Sequence, residues 1–171
     1  MKKKVFLEGN EGIFDSIYRD LLEKGYGFLR NKEHRISMVE LLYLLKKDKV
    51  RVFYQGKEMN FDNLINYAKK YDPRIYIRYR VYEDLRDKGY VLKAALKYGA
   101  DFRVYDEFTL DRTKNIHAKW LLRCYYSTEN ISLNDLASIA RVAHSVNKTV
   151  LIAIMDEEGD ITYYELKWKR M

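Results

Sequence analysis

The sequence of 171 residues is poor in the residues that interrupt or crosslink a chain, with one proline, eight glycines and one cysteine. A single cysteine excludes a disulfide within the chain, and the absence of disulfides is typical of proteins from a reducing compartment. No stretch approaches the ~20 apolar residues of a membrane span, and Lys2–Lys4 precede only the short apolar run Val5–Leu7. We therefore expect a cytoplasmic protein without a signal peptide and without a membrane partner.

The residues that are abundant favour a folded and basic protein. A hydrophobic fraction of 47% argues against disorder, and the net charge of +7 favours an anionic partner such as nucleic acid. Sixteen tyrosines interleaved with lysine and arginine can stack on unpaired bases while the cations hold phosphates. Two ordinary interpretations compete: thermostable proteins are rich in charge, and most tyrosines line half-buried surfaces.

The first 72 residues predict a small α/β lobe of alternating elements. Apolar residues recur at helical spacing from Ile13 to Leu22. Ser37 opens a capping-box pattern, and Asn60 can cap another helix. Between them, Val50–Tyr54 predicts a strand.

Asp72–Pro73 is the best candidate for a domain boundary, because Asp is a good N-cap and Pro suits the first helical turn. We therefore expect an N-terminal lobe of residues 1–72 and a second domain of residues 73–171. For the second domain the sequence predicts one helix from Pro73 to about Lys88 and another that begins at Ser132. It also predicts four strands, at Phe102–Tyr105, Ala118–Tyr125, Thr149–Met155 and Ile161–Trp168. The expected fold is α/β (α+β), with a mixed sheet packed by helices in the C-terminal domain.

Three stretches carry a resemblance to a known family. The first reads VYEDLRDKGY from Val81 and continues as LKYGADFRVY from Leu96. The second is a histidine, His117, at the head of a predicted strand. The third reads RVAHSVNK from Arg141, followed by an apolar strand and GDITYY from Gly159. Together they resemble the nuclease-like catalytic domain of archaeal tRNA-splicing endonucleases over about residues 75–171.

The resemblance implies a catalytic triad of Tyr105, His117 and Lys148. The family cleaves RNA by attack of a 2′-hydroxyl on the adjacent phosphate, which leaves a 2′,3′-cyclic phosphate and a 5′-hydroxyl. This reaction needs a base, an acid and positive charge for the phosphorane. An imidazole titrates at about 6.5 and suits the acid, and an ammonium suits the phosphorane. The base role falls to the tyrosine, although an ordinary phenol titrates at about 10 and needs nearby cations.

Each of the three residues also has an ordinary interpretation, as a surface tyrosine, a hydrogen-bonded strand histidine and a lysine at a helix end. The segment Asp106–Ile116 departs from the family pattern, because it is longer, highly charged and free of glycine. The triad needs no metal or cofactor, and the sequence has no spacing typical of a zinc site.

The resemblance also implies that Arg141 and Trp168 grip an extruded nucleotide, since a guanidinium and an indole can stack on a base. Packing near the C-terminus is the competing interpretation of Trp168, and we interpret His144 as a structural or supporting residue. An acidic turn is either a solvated hairpin or, as in the family, a docking element for another subunit. Its acids are Asp156, Glu157, Glu158 and Asp160.

The implied function is a metal-independent endoribonuclease that excises introns from precursor tRNA at bulge-helix-bulge sites. The expected assembly is a homotetramer, or a heterotetramer with a structural subunit. One alternative is a non-catalytic structural subunit or structured-RNA-binding module of the same fold. A third hypothesis, a metal-dependent nuclease, would need clustered carboxylates around Asp101.

Overall fold

A computed structural model describes residues 1–171, which form two compact units, Met1–Glu83 and Asp84–Met171. Each unit is built on its own mixed sheet with helices, so the predicted α/β (α+β) fold class is confirmed. The division into units falls inside a helix, whereas the division predicted after residue 72 falls before it. Domains of residues 1–72 and 73–171 stay a prediction. None of the helices is long and apolar enough to cross a membrane.

The N-terminal unit contains a six-stranded sheet in the order β3-β4-β2-β1-β5-β6. Strands β1 and β5 are parallel, and the other pairs are antiparallel. The strands are β1 (Lys3–Glu8), β2 (Glu11–Phe14), β3 (Phe28–Arg30), β4 (Glu33–Ser37), β5 (Val50–Tyr54) and β6 (Lys57–Met59). The helices are α1 (Arg19–Glu23), α2 (Met38–Lys46), α3 (Phe61–Lys69) and α4 (Ile75–Asp87), of which α4 runs into the second unit.

Helix starts in this unit follow the predicted caps. Ser37 and Glu40 form a complete capping box at α2, and Asn60 accepts a hydrogen bond from the Asn63 N–H at α3. The predicted helix from Ile13 is wrong at its start, because Ile13 lies in β2 and pairs with Phe6 of β1. Only the end of that apolar pattern is helical, in the short α1. Strand pairing with β1 on one side and β4 on the other outweighs the local spacing here.

The C-terminal unit contains a five-stranded sheet in the order β11-β10-β9-β8-β7. Strands β9 and β10 are parallel and the other neighbours are antiparallel. The elements are β7 (Val91–Ala94), β8 (Phe102–Tyr105), β9 (Trp120–Tyr126), α5 (Leu133–Ser145), β10 (Thr149–Met155) and β11 (Ile161–Leu166). Helix α5 is the crossover that the parallel pair requires.

Helix α5 packs its buried face on the sheet. The cluster between the helix and the sheet is small and aliphatic and consists of Ala95, Ala100, Leu121, Ile139, Ala143 and Val150. The middle of the helix is buried at Ile139 and Ala143, whereas Leu133, at the first helical position, is 82% exposed. A well-packed α5 fixes where its C-terminal end meets the sheet, and this end leads into β10.

Candidate active site

One edge of the C-terminal sheet gathers the three predicted catalytic residues. Val104 lies opposite Trp120 in the antiparallel pair β8–β9, and Trp120 lies beside Thr149 in the parallel pair β9–β10. The C-terminal end of β8 and the N-terminal ends of β9 and β10 therefore share an edge. Tyr105 ends β8, while His117 and Lys148 lie just before β9 and β10.

Backbone hydrogen bonds extend the pairing beyond the strand ends. The Lys119 N–H donates to the Val104 carbonyl at 2.9 Å, and the Thr149 N–H donates to the Lys119 carbonyl at 3.2 Å. The three chain segments are thus in contact at the positions from which the candidate side chains leave. The sheet register brings together residues that are far apart in the sequence.

The end of helix α5 positions Lys148. Asn147 adopts a left-handed conformation with φ of 58°. Its N–H donates to the His144 carbonyl at 3.1 Å, and the Lys148 N–H donates to the Ala143 carbonyl at 2.8 Å. These two bonds form a Schellman motif, which ends the helix and turns the chain into β10.

The side chain of Lys148 reaches across to the strand beside it. Its Nζ donates to the Ala118 carbonyl at 3.0 Å. Burial lowers the pKa of this ammonium from its ordinary value of 10.5, and the nearby Arg103 acts in the same direction, while Tyr98 opposes it. The ammonium has no carboxylate partner, so its charge is available to an anion such as a phosphate oxygen.

His117 lies in an exposed segment that leads into β9. Its Nε2 is 2.9 Å from Oδ1 of Asn115, and its Nδ1 has no hydrogen-bond partner. The next residue, Ala118, is buried and supplies the carbonyl that Lys148 contacts. A hydrogen bond from the Lys148 ammonium therefore links the end of α5 to the segment that carries the imidazole.

Tyr105 is half-buried at the end of β8. Its ring lies edge-on to Phe108, with the centroids 5.4 Å apart and the planes at 82°. The antiparallel register places Tyr105 at the level of the residues that precede β9. Tyr105 therefore lies at the same end of the sheet as His117 and Lys148.

Of the two residues that were predicted to hold a nucleotide, Trp168 lines a cleft beside the end of α5, and Arg141 does not. A cleft of about 190 Å³ is lined by Ala140, His144, Asn147, Lys148, Thr149, Leu166, Lys167 and Trp168. Trp168 packs on His144, with ring centroids 4.4 Å apart and planes at 37°. Arg141 is exposed and donates to the Ser138 hydroxyl at 3.4 Å, so Trp168 meets His144 rather than Arg141. The sequence signal for His144 is its position one helical turn before Lys148.

The acidic turn between β10 and β11 is shaped by its own first residue. The Asp156 carboxylate accepts hydrogen bonds from the N–H groups of Glu158 at 2.9 Å and Asp160 at 3.0 Å. Gly159 has a φ of 87°, which glycine adopts without strain. The four acids are exposed and have no ion-pair partner, so the turn presents a concentrated negative charge to the solvent.

The carboxylates of the unit do not gather into a metal-binding set. No group of three or more histidine, cysteine, aspartate or glutamate side chains is placed to hold a metal ion. Asp101, around which a metal-dependent nuclease would build its site, instead accepts a hydrogen bond from the Cys124 N–H at 2.8 Å. These side chains do not form the cluster of carboxylates around Asp101 that a metal-dependent nuclease would need.

Comparison with known proteins matches both units to one family. Residues 3–65 match the tRNA intron endonuclease N-terminal domain, and residues 75–163 match its catalytic C-terminal domain. The chain is 40% identical to the tRNA-splicing endonuclease of Pyrococcus horikoshii, with 98% of each chain covered. It is 38% identical to that of Pyrococcus furiosus, over 87% of this chain and 84% of that protein. Against the enzyme of Methanococcus vannielii it is 37% identical, over 92% and 87%. The resemblance of the sequence motifs is confirmed, and the chain belongs to the tRNA intron endonuclease family.

Proposed function

We propose that this protein is a metal-independent endoribonuclease that excises introns from precursor tRNA at bulge-helix-bulge sites. The observation that carries the proposal is the meeting of three strand ends at one sheet edge, which brings Tyr105, His117 and Lys148 together. As a phenolate, an imidazolium and an ammonium without a carboxylate partner, these side chains supply a base, an acid and an anion-binding charge. Attack by an internal 2′-hydroxyl on the adjacent phosphate requires these three groups.

The reaction assigns one role to each group. Tyr105, reacting as its phenolate, accepts the proton of the 2′-hydroxyl as that oxygen attacks phosphorus, and Lys148 stabilises the charge that develops on a non-bridging phosphorane oxygen. His117 gives a proton to the 5′-oxygen as the phosphorus–oxygen bond breaks. The products are a 2′,3′-cyclic phosphate and a 5′-hydroxyl. The lowered pKa of Lys148 reflects a poorly hydrated cation, which binds an anionic transition state more strongly than a fully hydrated one.

Substrate recognition belongs to the cleft beside Lys148. Its wall carries Trp168 and His144 as stacked rings together with the cation Lys167, and Arg141 is exposed one turn before His144 on α5. Aromatic faces and cations hold unpaired nucleotides without reading a base sequence. This arrangement suits a bulged nucleotide in a folded RNA, recognised by shape.

The acidic turn is the proposed assembly element. Asp156, Glu157, Glu158 and Asp160 form an exposed cluster of unpaired negative charge in a protein of net charge +7, so a basic surface of another subunit is its natural complement. Two cuts in one precursor require two active subunits at a fixed separation. A tetramer, of one chain or of this chain with a structural subunit, satisfies that requirement.

The alternative is a non-catalytic subunit or a structured-RNA-binding module of the same fold. A purely architectural subunit has no use for a phenol, an imidazole and a half-buried ammonium at one sheet edge. The gathering of all three groups therefore favours the catalytic role.

The decisive experiment incubates the purified protein and its His117→Ala variant with a bulge-helix-bulge RNA in EDTA and analyses the RNA ends by mass spectrometry. We expect cleavage by the wild type in EDTA, with 2′,3′-cyclic phosphate and 5′-hydroxyl ends, and a loss of at least about 100-fold in the variant. Cleavage that needs magnesium, or that leaves a 5′-phosphate, would contradict the mechanism. Cleavage only after a second chain is added would assign the protein to a mixed assembly.

A further inference from the structure

The loop that leads to His117 is internally braced. Asp111 Oδ1 accepts hydrogen bonds from the Thr113 N–H at 3.0 Å and the Thr113 hydroxyl at 2.6 Å, and these bonds lower the pKa of the Asp111 carboxyl. They start a 3-10 turn at Arg112–Lys114, which closes when the Asn115 N–H donates to the Arg112 carbonyl at 3.3 Å. The turn therefore has a defined end, and that end is Asn115.

Asn115 combines two properties in one position. Its backbone is left-handed, with φ of 53° and ψ of 42°, a conformation that only glycine and, less readily, asparagine and aspartate adopt routinely. Its side-chain oxygen lies 2.9 Å from His117 Nε2. Glycine would satisfy the backbone alone, because it has no side chain to reach the imidazole. The side chain of Asn115 thus does something that the turn itself does not need.

We propose that Asn115 is a positioning residue for His117, whose Nε2–H it holds so that Nδ1 serves as the acid of the cleavage reaction. The inference rests on the proposed function and adds to it the nitrogen that acts and the group that orients it. A hydrogen bond at Nε2 fixes the rotation of the ring, and the two ring nitrogens lie on different sides of it. The second nitrogen, which has no partner in the protein, is then held ready for the substrate.

The proton transfer is balanced around this contact. In the imidazolium both nitrogens carry protons, with Nε2–H donating to Asn115 Oδ1. When the bond between the 2′-oxygen and phosphorus has formed and the bond from phosphorus to the 5′-oxygen breaks, the proton on Nδ1 moves to the 5′-oxygen. The neutral ring that remains is the Nε2–H tautomer, which still donates to the same oxygen. Asn115 therefore stabilises the ring before and after the transfer without changing its own hydrogen bond.

The test compares two substitutions that separate the backbone from the side chain. Asn115→Gly keeps the left-handed turn and removes the acceptor, whereas Asn115→Asp tolerates the turn and keeps an oxygen that only accepts. In single-turnover cleavage we expect Asn115→Gly to be about 5- to 10-fold slower with an unchanged apparent KM, as for the loss of one orienting hydrogen bond. Asn115→Asp should stay within about twofold of the wild type. A glycine variant as fast as the wild type, or an aspartate variant as slow as the glycine variant, would overturn the proposal.

A substrate with sulfur in place of the 5′-oxygen separates acid catalysis from a general loosening of the site. A thiolate leaves without protonation, so the defect of Asn115→Gly should shrink to less than about twofold on this RNA. A defect of equal size on both substrates would show that Asn115 acts by some route other than the acid.

A measurement on the free protein judges the contact independently of cleavage. The chain has three histidines, so the ring signals of His117 can be resolved by NMR. We expect the ring order parameter of His117 to fall in Asn115→Gly and to be kept in Asn115→Asp. Equal ring order in all three proteins would refute the positioning role even if the wild type cleaves. A wild type that does not cleave, alone or with a second chain, would instead refute the proposed function, and the ring order would still decide whether Asn115 holds His117.

Discussion

Replacing Lys148 with methionine tests the anion-binding role most directly, because methionine keeps an unbranched side chain that is one atom shorter and removes the charge. Removing one preorganised donor from a developing oxyanion lowers kcat by about 10²–10³, or about 2.7–4 kcal/mol. We expect a loss of this size in single-turnover cleavage of a bulge-helix-bulge RNA. The matched control is Lys167→Met in the same cleft: this lysine is exposed and lies 3.6 Å from Glu165. The control should lose less than about fivefold, as for one exposed phosphate contact.

The folded state should tolerate the change at Lys148. Its ammonium donates one hydrogen bond, to the Ala118 carbonyl, which contributes about 1 kcal/mol. Burial disfavours the charged form and lowers its pKa, so removing the charge offsets part of that loss. A change within about 1 kcal/mol corresponds to about 2–4 °C in Tm for a chain of this size. A fall in kcat of less than about tenfold at an unchanged Tm would refute the assignment of Lys148 to the phosphorane.

Three further predictions concern the surroundings of the site. Asn147→Ala should destabilise the protein by about 1 kcal/mol in urea unfolding and slow cleavage, because alanine resists the left-handed conformation that turns Lys148 into place, whereas Asn147→Gly should retain both. The rate of cleavage should begin to fall at a pH below 10.5, because the lowered pKa of Lys148 makes its ammonium lose its charge at a lower pH than an ordinary lysine does. An active Lys148→Arg variant should not show this decline in its pH–rate profile. Tyr163→Phe should cost about 1–3 kcal/mol at neutral pH without changing kcat, because the hydroxyl donates to Asp84 at 2.6 Å. Burial and this bond raise the pKa of Tyr163 above its ordinary value of 10.0. The wild type should therefore stay more stable than Tyr163→Phe below pH 10 and lose this difference in stability only as the pH rises beyond 10. Urea unfolding of both proteins across pH will test this.

Elements with strong local signals were predictable from the sequence. Strands β5, β8 and β10 have the predicted bounds, and the caps at Ser37, Asn60 and Ser132 begin helices as expected. A cap depends on residues three positions apart, and β10 is a run of β-branched and apolar residues. Both signals lie within a short window of sequence.

The N-terminal hairpins were not predictable in the same way. Strand β2 has four residues, too few for an alternating pattern to outweigh the helical spacing that links Ile13 to Ile17. The turn before β4 uses Asn31 and Lys32 with positive φ of 51° and 62°, and lysine is a rare choice for that conformation. What fixes β2 is its pairing with β1 and β4, which no local pattern contains.

The site was predicted through the family resemblance, since no spacing rule links Tyr105, His117 and Lys148. These three residues lie at the same end of the sheet because β9 and β10 pair in parallel register and β8 and β9 in antiparallel register. Contacts that depend on side-chain packing could not be predicted from the sequence. The stacking of Trp168 on His144 and the hydrogen bond from His117 to Asn115 are both of this kind.

Two of the three catalytic candidates depend on asparagines in the left-handed conformation. Asn147 precedes Lys148 directly, and Asn115 lies two residues before His117. Neither asparagine is buried, so backbone geometry and local hydrogen bonds, rather than core packing, hold the imidazole and the ammonium in place. At Asn115, whose side chain contacts His117, a substitution that keeps the left-handed backbone but removes the acceptor should therefore lower kcat while leaving Tm nearly unchanged. Asparagine there provides both the turn and the acceptor, which glycine could not, whereas at Asn147 the left-handed backbone alone is needed.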